Sequence, residues 1–230
     1  MLRKSILVIA RILLVLSIPV FLLLTNLYAF MSPAFLRYEY GKADFPPSPG
    51  FTEEQRLMVA KKAVTYLRSD AGIAILRDLE GEQGPLFREK ELAHMVDVKV
   101  VTRRAFLTHG LLGLIIAFSL GVLLILRRTP TQISVSLLQG SLLTIALLIA
   151  LMALVYLNFD WFFVRFHLTF FEGDSWIFNW SDTLIRLFPE RFWFDAASLW
   201  GLLTLVEAVV LGVAALMCSR LTHSRLARSS

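Results

Sequence analysis

Four long apolar runs constrain this chain more than any other feature of its sequence: roughly 6–30, 105–126, 133–157 and 196–218. A bilayer core about 30 Å thick takes about 20 residues of helix to cross. Backbone polar groups in hydrocarbon must be satisfied internally, and a helix does this within one segment. The runs therefore predict four membrane-spanning helices. Composition agrees: 57% of residues are hydrophobic, against about 45–50% apolar in soluble domains. The first run opens on Arg3 and Lys4, as a signal peptide does. Its apolar stretch outruns the roughly 7–15 residues of a signal-peptide core, so it reads as a retained span, with Pro19 predicting a kink.

Charge gives an orientation. Arg3, Lys4 and Arg11 lie at the start, Arg127 and Arg128 after the second run, and Arg220, Arg225 and Arg228 after the fourth. All 18 acidic residues except Glu207 fall within 31–104 or 158–195. Basic residues mark the cytoplasmic side of short loops, so both termini are expected in the cytoplasm. The net charge of +5 is then a topology signal and implies no nucleic-acid partner. The expected layout is a cytoplasmic N-terminus and span 1 at 1–30, and an extracytoplasmic loop domain at 31–104. Spans 2 and 3 follow at 105–157 with a cytoplasmic turn at 127–132, then an extracytoplasmic aromatic loop at 158–195. Span 4 and the cytoplasmic C-terminus occupy 196–230. The fold class is mainly α: a four-helix transmembrane bundle with a small extracytoplasmic α(+β) cap and an aromatic interfacial loop.

Within 31–104, a breaker cluster at Pro46, Pro47, Pro49 and Gly50 precedes Thr52, which has capping-box spacing to Gln55. Helical spacing of Leu57, Val59, Ala60, Ala63, Val64 and Leu67 predicts an amphipathic helix over 52–68. Residues 87–95 also read as helix. Val96, Val98 and Val100 alternate with Asp97 and Lys99, which predicts a short strand. The 158–195 segment is dense in Phe and Trp, more than an interfacial belt needs. It reads as a partly membrane-embedded loop that re-enters or lies flat.

Few residues are suited to chemistry. Cys218 is the only cysteine, so no intramolecular disulfide forms, and no Cys/His cluster points to a metal. Neither GxSxG, HExxH nor GxxxxGK occurs. His223 lies in the basic tail and His109 in span 2, where packing is the simpler role. His94 and His167 fall near predicted membrane boundaries, with Glu91 and Asp97 close to the first and Glu172 and Asp174 close to the second. Such pairs suit proton transfer near neutral pH, although satisfied structural histidines look the same in sequence. Glu207, the one acid inside a span, is either a paired structural group or a ligand contact.

Two stretches carry a resemblance. One is Glu91-Leu-Ala-His94-Met95-Val-Asp97-Val-Lys99. The other runs Phe166-His167-Leu-Thr-Phe170-Phe171 to Trp176, Asp182, Pro189 and Phe192-Trp193. Together with the four-span layout they resemble the bacterial lipoprotein intramolecular transacylase family. The resemblance implies an acyltransferase of the bacterial cytoplasmic membrane that works on a diacylated lipoprotein and needs no cofactor, nucleotide or metal. It implies that the sn-2 acyl chain of the diacylglyceryl-cysteine moves to the cysteine α-amine, giving a lyso-form lipoprotein. His167 and His94 would be catalytic, one taking the amine proton and the other serving the oxyanion or the departing alkoxide. Asp97, Glu91, Lys99, Glu172, Trp176 and Asp182 would bind or orient substrate. The competing reading is a non-catalytic membrane scaffold or lipid-binding subunit anchored by its aromatics. A transporter ranks last, because the spans hold few polar groups.

Overall fold

The structure, a computed structural model, describes residues 1–82, 84–126 and 130–228. Arg127, Arg128 and Thr129 of the predicted turn lie outside the described residues, as do the side chains of His223, Arg225 and Arg228 in the tail. The described residues form nine helices and one two-stranded hairpin: α1 (Leu2–Phe30), α2 (Pro33–Tyr40), α3 (Glu53–Arg68), α4 (Ala74–Arg77), β1 (Glu80–Gly81), β2 (Gly84–Pro85), α5 (Glu89–Ile125), α6 (Pro130–Leu157), α7 (Phe159–Phe170), α8 (Thr183–Leu187) and α9 (Glu190–Arg228). Four of them, α1, α5, α6 and α9, are long and apolar enough to cross a membrane. The α1 helix runs unbroken through Pro19. The chain divides into two compact units.

The first unit comprises Met1–Asn26, Leu107–Ala153 and Trp200–Ser230. Leu7, Leu14, Ile18 and Leu123 are buried at its centre. Gly140 lies directly against Ile18, and Gly201 against Met152, so a β-carbon at either would collide. Small residues that let helices approach closely are what membrane packing rewards. A polar seam joins α1 to α9. Trp200 Nε1 donates to the Leu23 carbonyl at 2.7 Å. Asn26 Nδ2 donates to Thr204 Oγ1 and Glu207 Oε2, both at 3.1 Å. Glu207 is thus a paired group. His109 Nε2 is 3.1 Å from Thr25 Oγ1, with its ring stacked on Phe21.

The second unit comprises Leu27–Phe106 and Leu154–Leu199. Its core gathers Phe35, Leu36, Val59, Ala63, Leu76, Phe87, Leu92, Met95, Leu184, Leu187 and Phe192. The predicted helix over 52–68 is α3. Thr52 caps it by accepting from the Gln55 amide at 3.2 Å, and Gln55 Oε1 accepts from the Thr52 amide at 2.9 Å. The buried Arg56 guanidinium packs over Tyr40 and Phe45 and donates to the Pro46 carbonyl at 2.7 Å. Glu39, fully buried, meets Lys42 at 2.8 Å, and Lys42 also meets Asp195 on α9 at 2.9 Å.

One expectation fails. Residues 96–101 are helix, inside α5. Buried Glu91, Leu92, Met95, Lys99 and Thr102 follow a helical period, whereas a lone strand has no partner for its backbone. The 158–195 segment between the third and fourth long helices holds α7 and α8, and α9 begins at Glu190, ahead of the apolar run at 196. Likewise α5 starts at Glu89, ahead of the apolar run at 105.

Thr52→Ala should destabilise α3 by about 1 kcal/mol, the usual worth of an N-cap. Hydrogen exchange would show it as faster exchange in the first turn of α3. Unchanged protection there would mean that the cap contributes nothing.

Candidate active site

The first turns of α5, residues 89–104, carry seven charged side chains and precede the apolar run. On their buried stripe sit Glu91 and, three residues on, His94, which is 7% exposed. Spacing of three keeps both on one helix face. His167 lies on α7, a helix with no fully buried residue. The two imidazole centroids are 6.2 Å apart. That is well inside the roughly 10 Å that a substrate headgroup could bridge, given attack distances of about 3–3.5 Å at each reacting atom.

Aromatic rings wall the pair. Phe171 lies 4.8 Å from His94 and 5.5 Å from His167, centroid to centroid. Phe178 flanks His94 at 5.4 Å. Phe163 and Trp176 flank His167 at 4.1 and 4.9 Å. His167 Nδ1 is 2.8 Å from the Phe163 carbonyl. A carbonyl only accepts, so Nδ1 carries the hydrogen and the lone pair is left on Nε2. His94 Nδ1 is buried without a hydrogen-bond partner among the described residues.

The apolar wall sets the protonation. Burial, with His167 beside it, pushes the His94 imidazole down to about 4. Burial also lowers His167, against the pull of the Phe163 carbonyl. Desolvation disfavours the imidazolium in both cases.

The predicted orienting residues divide into two groups. Glu91 Oε1 accepts from the Leu184 amide at 2.7 Å and Oε2 from the Arg88 amide at 2.9 Å. Burial holds its carboxyl above the ordinary carboxylate value, and these two amides counter that only in part. Asp182 accepts from the Asn179 amide at 2.8 Å and pairs with Arg88 at 2.8 Å. Both acids therefore fix the chain that carries Trp176 and Phe178. Asp97 and Glu172 are exposed, and among the described residues neither carboxylate pairs with a histidine. Lys99 lies about 140° round α5 from His94. It donates to the Ala71 carbonyl at 2.6 Å and lies over the Tyr66 ring, so it ties α5 to the end of α3. Sequence reading missed Arg88, Phe163, Phe171 and Phe178 as individual site residues. Phe171 falls inside the stretch that carries the family resemblance, whereas nothing distinguishes Arg88, Phe163 and Phe178 in sequence from neighbouring charges and rings.

A family model for the lipoprotein intramolecular transacylase Lit matches residues 11–193. The chain belongs to the lipoprotein intramolecular transacylase family. It is a membrane-integral acyltransferase. An uncharacterized protein of Aquifex aeolicus (strain VF5) is 30% identical over 181 residues, 78% of this chain and 80% of that one. The fold is that of the membrane integral lipoprotein intramolecular transacylase from Bacillus cereus, with a TM-score of 0.73 at 22% identity over 97% of this chain and 98% of that one. A histidine-to-alanine variant of the same protein gives 0.70 at 23% identity, over 100% and 98% of the two chains. Among the described residues of this family member, no group of three His, Cys, Asp or Glu is placed to hold a metal ion.

Between its ordinary value of 6.5 and about 4, His94 binds a proton when unfolded but not when folded. Stability therefore falls as pH drops through that window and levels off below it. Thermal unfolding in detergent should show His94→Gln losing less stability than the parent between pH 7 and pH 4.5. Superimposable curves would show that His94 is not held neutral.

Proposed function

We propose that His167 and His94 carry the acyl transfer, with His167 as proton carrier and His94 as a neutral hydrogen-bond donor. The observation that supports it is the pair of half-stacked imidazoles in an aromatic wall, one with its Nδ1–H already committed to a backbone carbonyl. The substrate is a diacylglyceryl-cysteine lipoprotein. Its α-ammonium has a reference pKa of about 7.7–8.0, so freeing the amine near neutral pH costs little. The amine nitrogen attacks the sn-2 ester carbonyl and a C–N bond forms. His167 Nε2 takes the nitrogen's proton. The C–O bond to the glyceryl oxygen then breaks, and His167 returns that proton to the oxygen. The products are an N-acyl chain and a free glyceryl hydroxyl, with His167 neutral again.

Each part has a magnitude. Amine and ester sit on one molecule, so holding them in attack geometry can supply about 7–11 kcal/mol. Proton transfer by a placed base adds roughly 10²–10⁴-fold. His94, as the less basic ring, is the poorer base. A neutral imidazole still carries an N–H to offer the carbonyl oxygen as charge develops there. Phe163, Phe171, Phe178 and Trp176 supply a low-dielectric wall that strengthens such bonds and suits acyl chains. Glu91 and Asp182 act as positioning residues.

The same reading places the enzyme in a bacterial cytoplasmic membrane, with both termini inside and the 31–104 and 158–195 segments at the outer face. The asymmetry of Arg and Lys against Asp and Glu along the chain supports this. A green fluorescent protein fused to the C-terminus should fluoresce, and a periplasmic phosphatase reporter there should be inactive. The opposite pattern would invert the orientation.

Catalysis is tested by expressing the chain in a cell that makes diacylated lipoproteins and taking mass spectra of their N-terminal peptides. The parent should give N-acylated lyso-form peptides. His167→Ala and His94→Ala should each lower transfer by about 10²-fold or more. Variants that transfer normally would overturn the histidine assignment. A parent that leaves the chain on the glyceryl oxygen would be a lipid-binding scaffold instead.

A further inference from the structure

The fate of each indole N–H separates the five tryptophans. Trp193 Nε1 donates to the Phe188 carbonyl at 3.0 Å and Trp200 Nε1 to the Leu23 carbonyl at 2.7 Å. Trp161 and Trp180 are 46% and 83% exposed. Trp176 is the exception among the described residues: its Nε1 is buried and has no hydrogen-bond partner. An indole nitrogen donates only, and a buried donor without an acceptor is costly to keep. A phenylalanine would fill the same apolar place without that cost. The ring is also fixed beside the reacting centre, with its centroid 4.9 Å from that of His167 and a tilt of 31°. The segment that carries it is tied down on its C-terminal side through Asp182 and Leu184, to Arg88 and Glu91 at the start of α5.

We infer that Trp176 is a catalytic residue: its indole N–H donates to the carbonyl oxygen of the ester under attack as that oxygen becomes an oxyanion. The inference rests on the histidine reading above, because it places the reacting carbonyl beside His167. Substrate chemistry selects the acceptor. The α-ammonium has no lone pair to offer, the attacking amine uses its own on carbon, and a thioether sulfur accepts weakly. The carbonyl oxygen is the acceptor that grows stronger along the reaction. A donor aimed at developing charge in a desolvated site acts on turnover rather than on ground-state binding. With an N–H from His94, the indole forms a two-donor oxyanion site built from side chains alone. No proton is transferred to or from Trp176, so the proton cycle of His167 is unchanged.

Trp176→Phe keeps a ring against His167 and removes the N–H. With a purified diacylated lipopeptide as substrate, kcat should fall about 10²–10³-fold, the usual loss of one oxyanion donor, with KM within about twofold. The plateau of the pH–rate profile should drop while its acid limb, set by His167, stays in place. Trp176→Leu removes ring and donor together and should raise KM as well. Should Trp176→Phe unfold, β-(3-benzothienyl)alanine placed at 176, with sulfur where the N–H stood, decides the question by the same kcat loss. Wild-type kcat in the donor-less enzyme while His167→Ala is inactive would overturn the oxyanion role and leave the histidine reading standing. So would a rate loss accompanied by a shifted acid limb, which would mark Trp176 as a support for His167 only. Full activity in both Trp176→Phe and His167→Ala would sink the two readings together.

Discussion

The buried carboxylate of Glu91 joins two segments 93 residues apart, through bonds to the amides of Arg88 and Leu184. One amide lies just ahead of the helix that presents His94, and the other opens the short helix that follows the aromatic segment. A carboxylate that accepts two backbone N–H bonds gains the stronger, charge-assisted kind, which offsets part of the cost of burying it. Removing it would leave two amides to be satisfied elsewhere, at about 1–3 kcal/mol for each that stays buried and unpaired. The approach of Trp176 and Phe178 to the histidines depends on this tie and on the Arg88–Asp182 pair beside it.

The same apolar packing that builds the site decides its proton chemistry. Rings that exclude water penalise any charged form, so both histidines are neutral in the resting protein. They are not equivalent. His167 has a backbone carbonyl to favour its imidazolium, whereas His94 Nδ1 has no hydrogen-bond partner among the described residues and its charged form is opposed by burial and by the other imidazole. A difference in surroundings, with no difference in residue type, is what makes one ring less basic than the other.

Much of this was legible in the chain. The four spans follow from run length alone, and the start of α3 follows from Thr52 and Gln55, because both are local rules. The alternation of Val96, Val98 and Val100 misled for a physical reason. On a helix residues two apart lie about 200° from each other, so the three valines do not share one face: Val96 and Val100 are exposed, and the helix that continues into the apolar run satisfies its own backbone. His94 and His167 were legible as candidates and as the anchors of the family resemblance. Their approach to within one ring of each other was not, because it depends on contacts between α5 and α7. Asp97 and Glu172 show the limit of proximity in sequence. Both are near a histidine along the chain, and both point their carboxylates to the exposed surface.

The unbroken course of α5 has a consequence for the kinds of change this protein can absorb. Glu91, Leu92, His94 and Met95 form one buried stripe, and Lys99 and Thr102 continue it. The upper part packs on the residues after α7, and the lower part is anchored to Ala71 and Tyr66. Exchanges on the exposed face alter neither group. Adding or deleting a single residue between Met95 and Lys99 turns one group by about 100° against the other, so that both cannot be seated at once. For this stretch, length is a stricter requirement than composition.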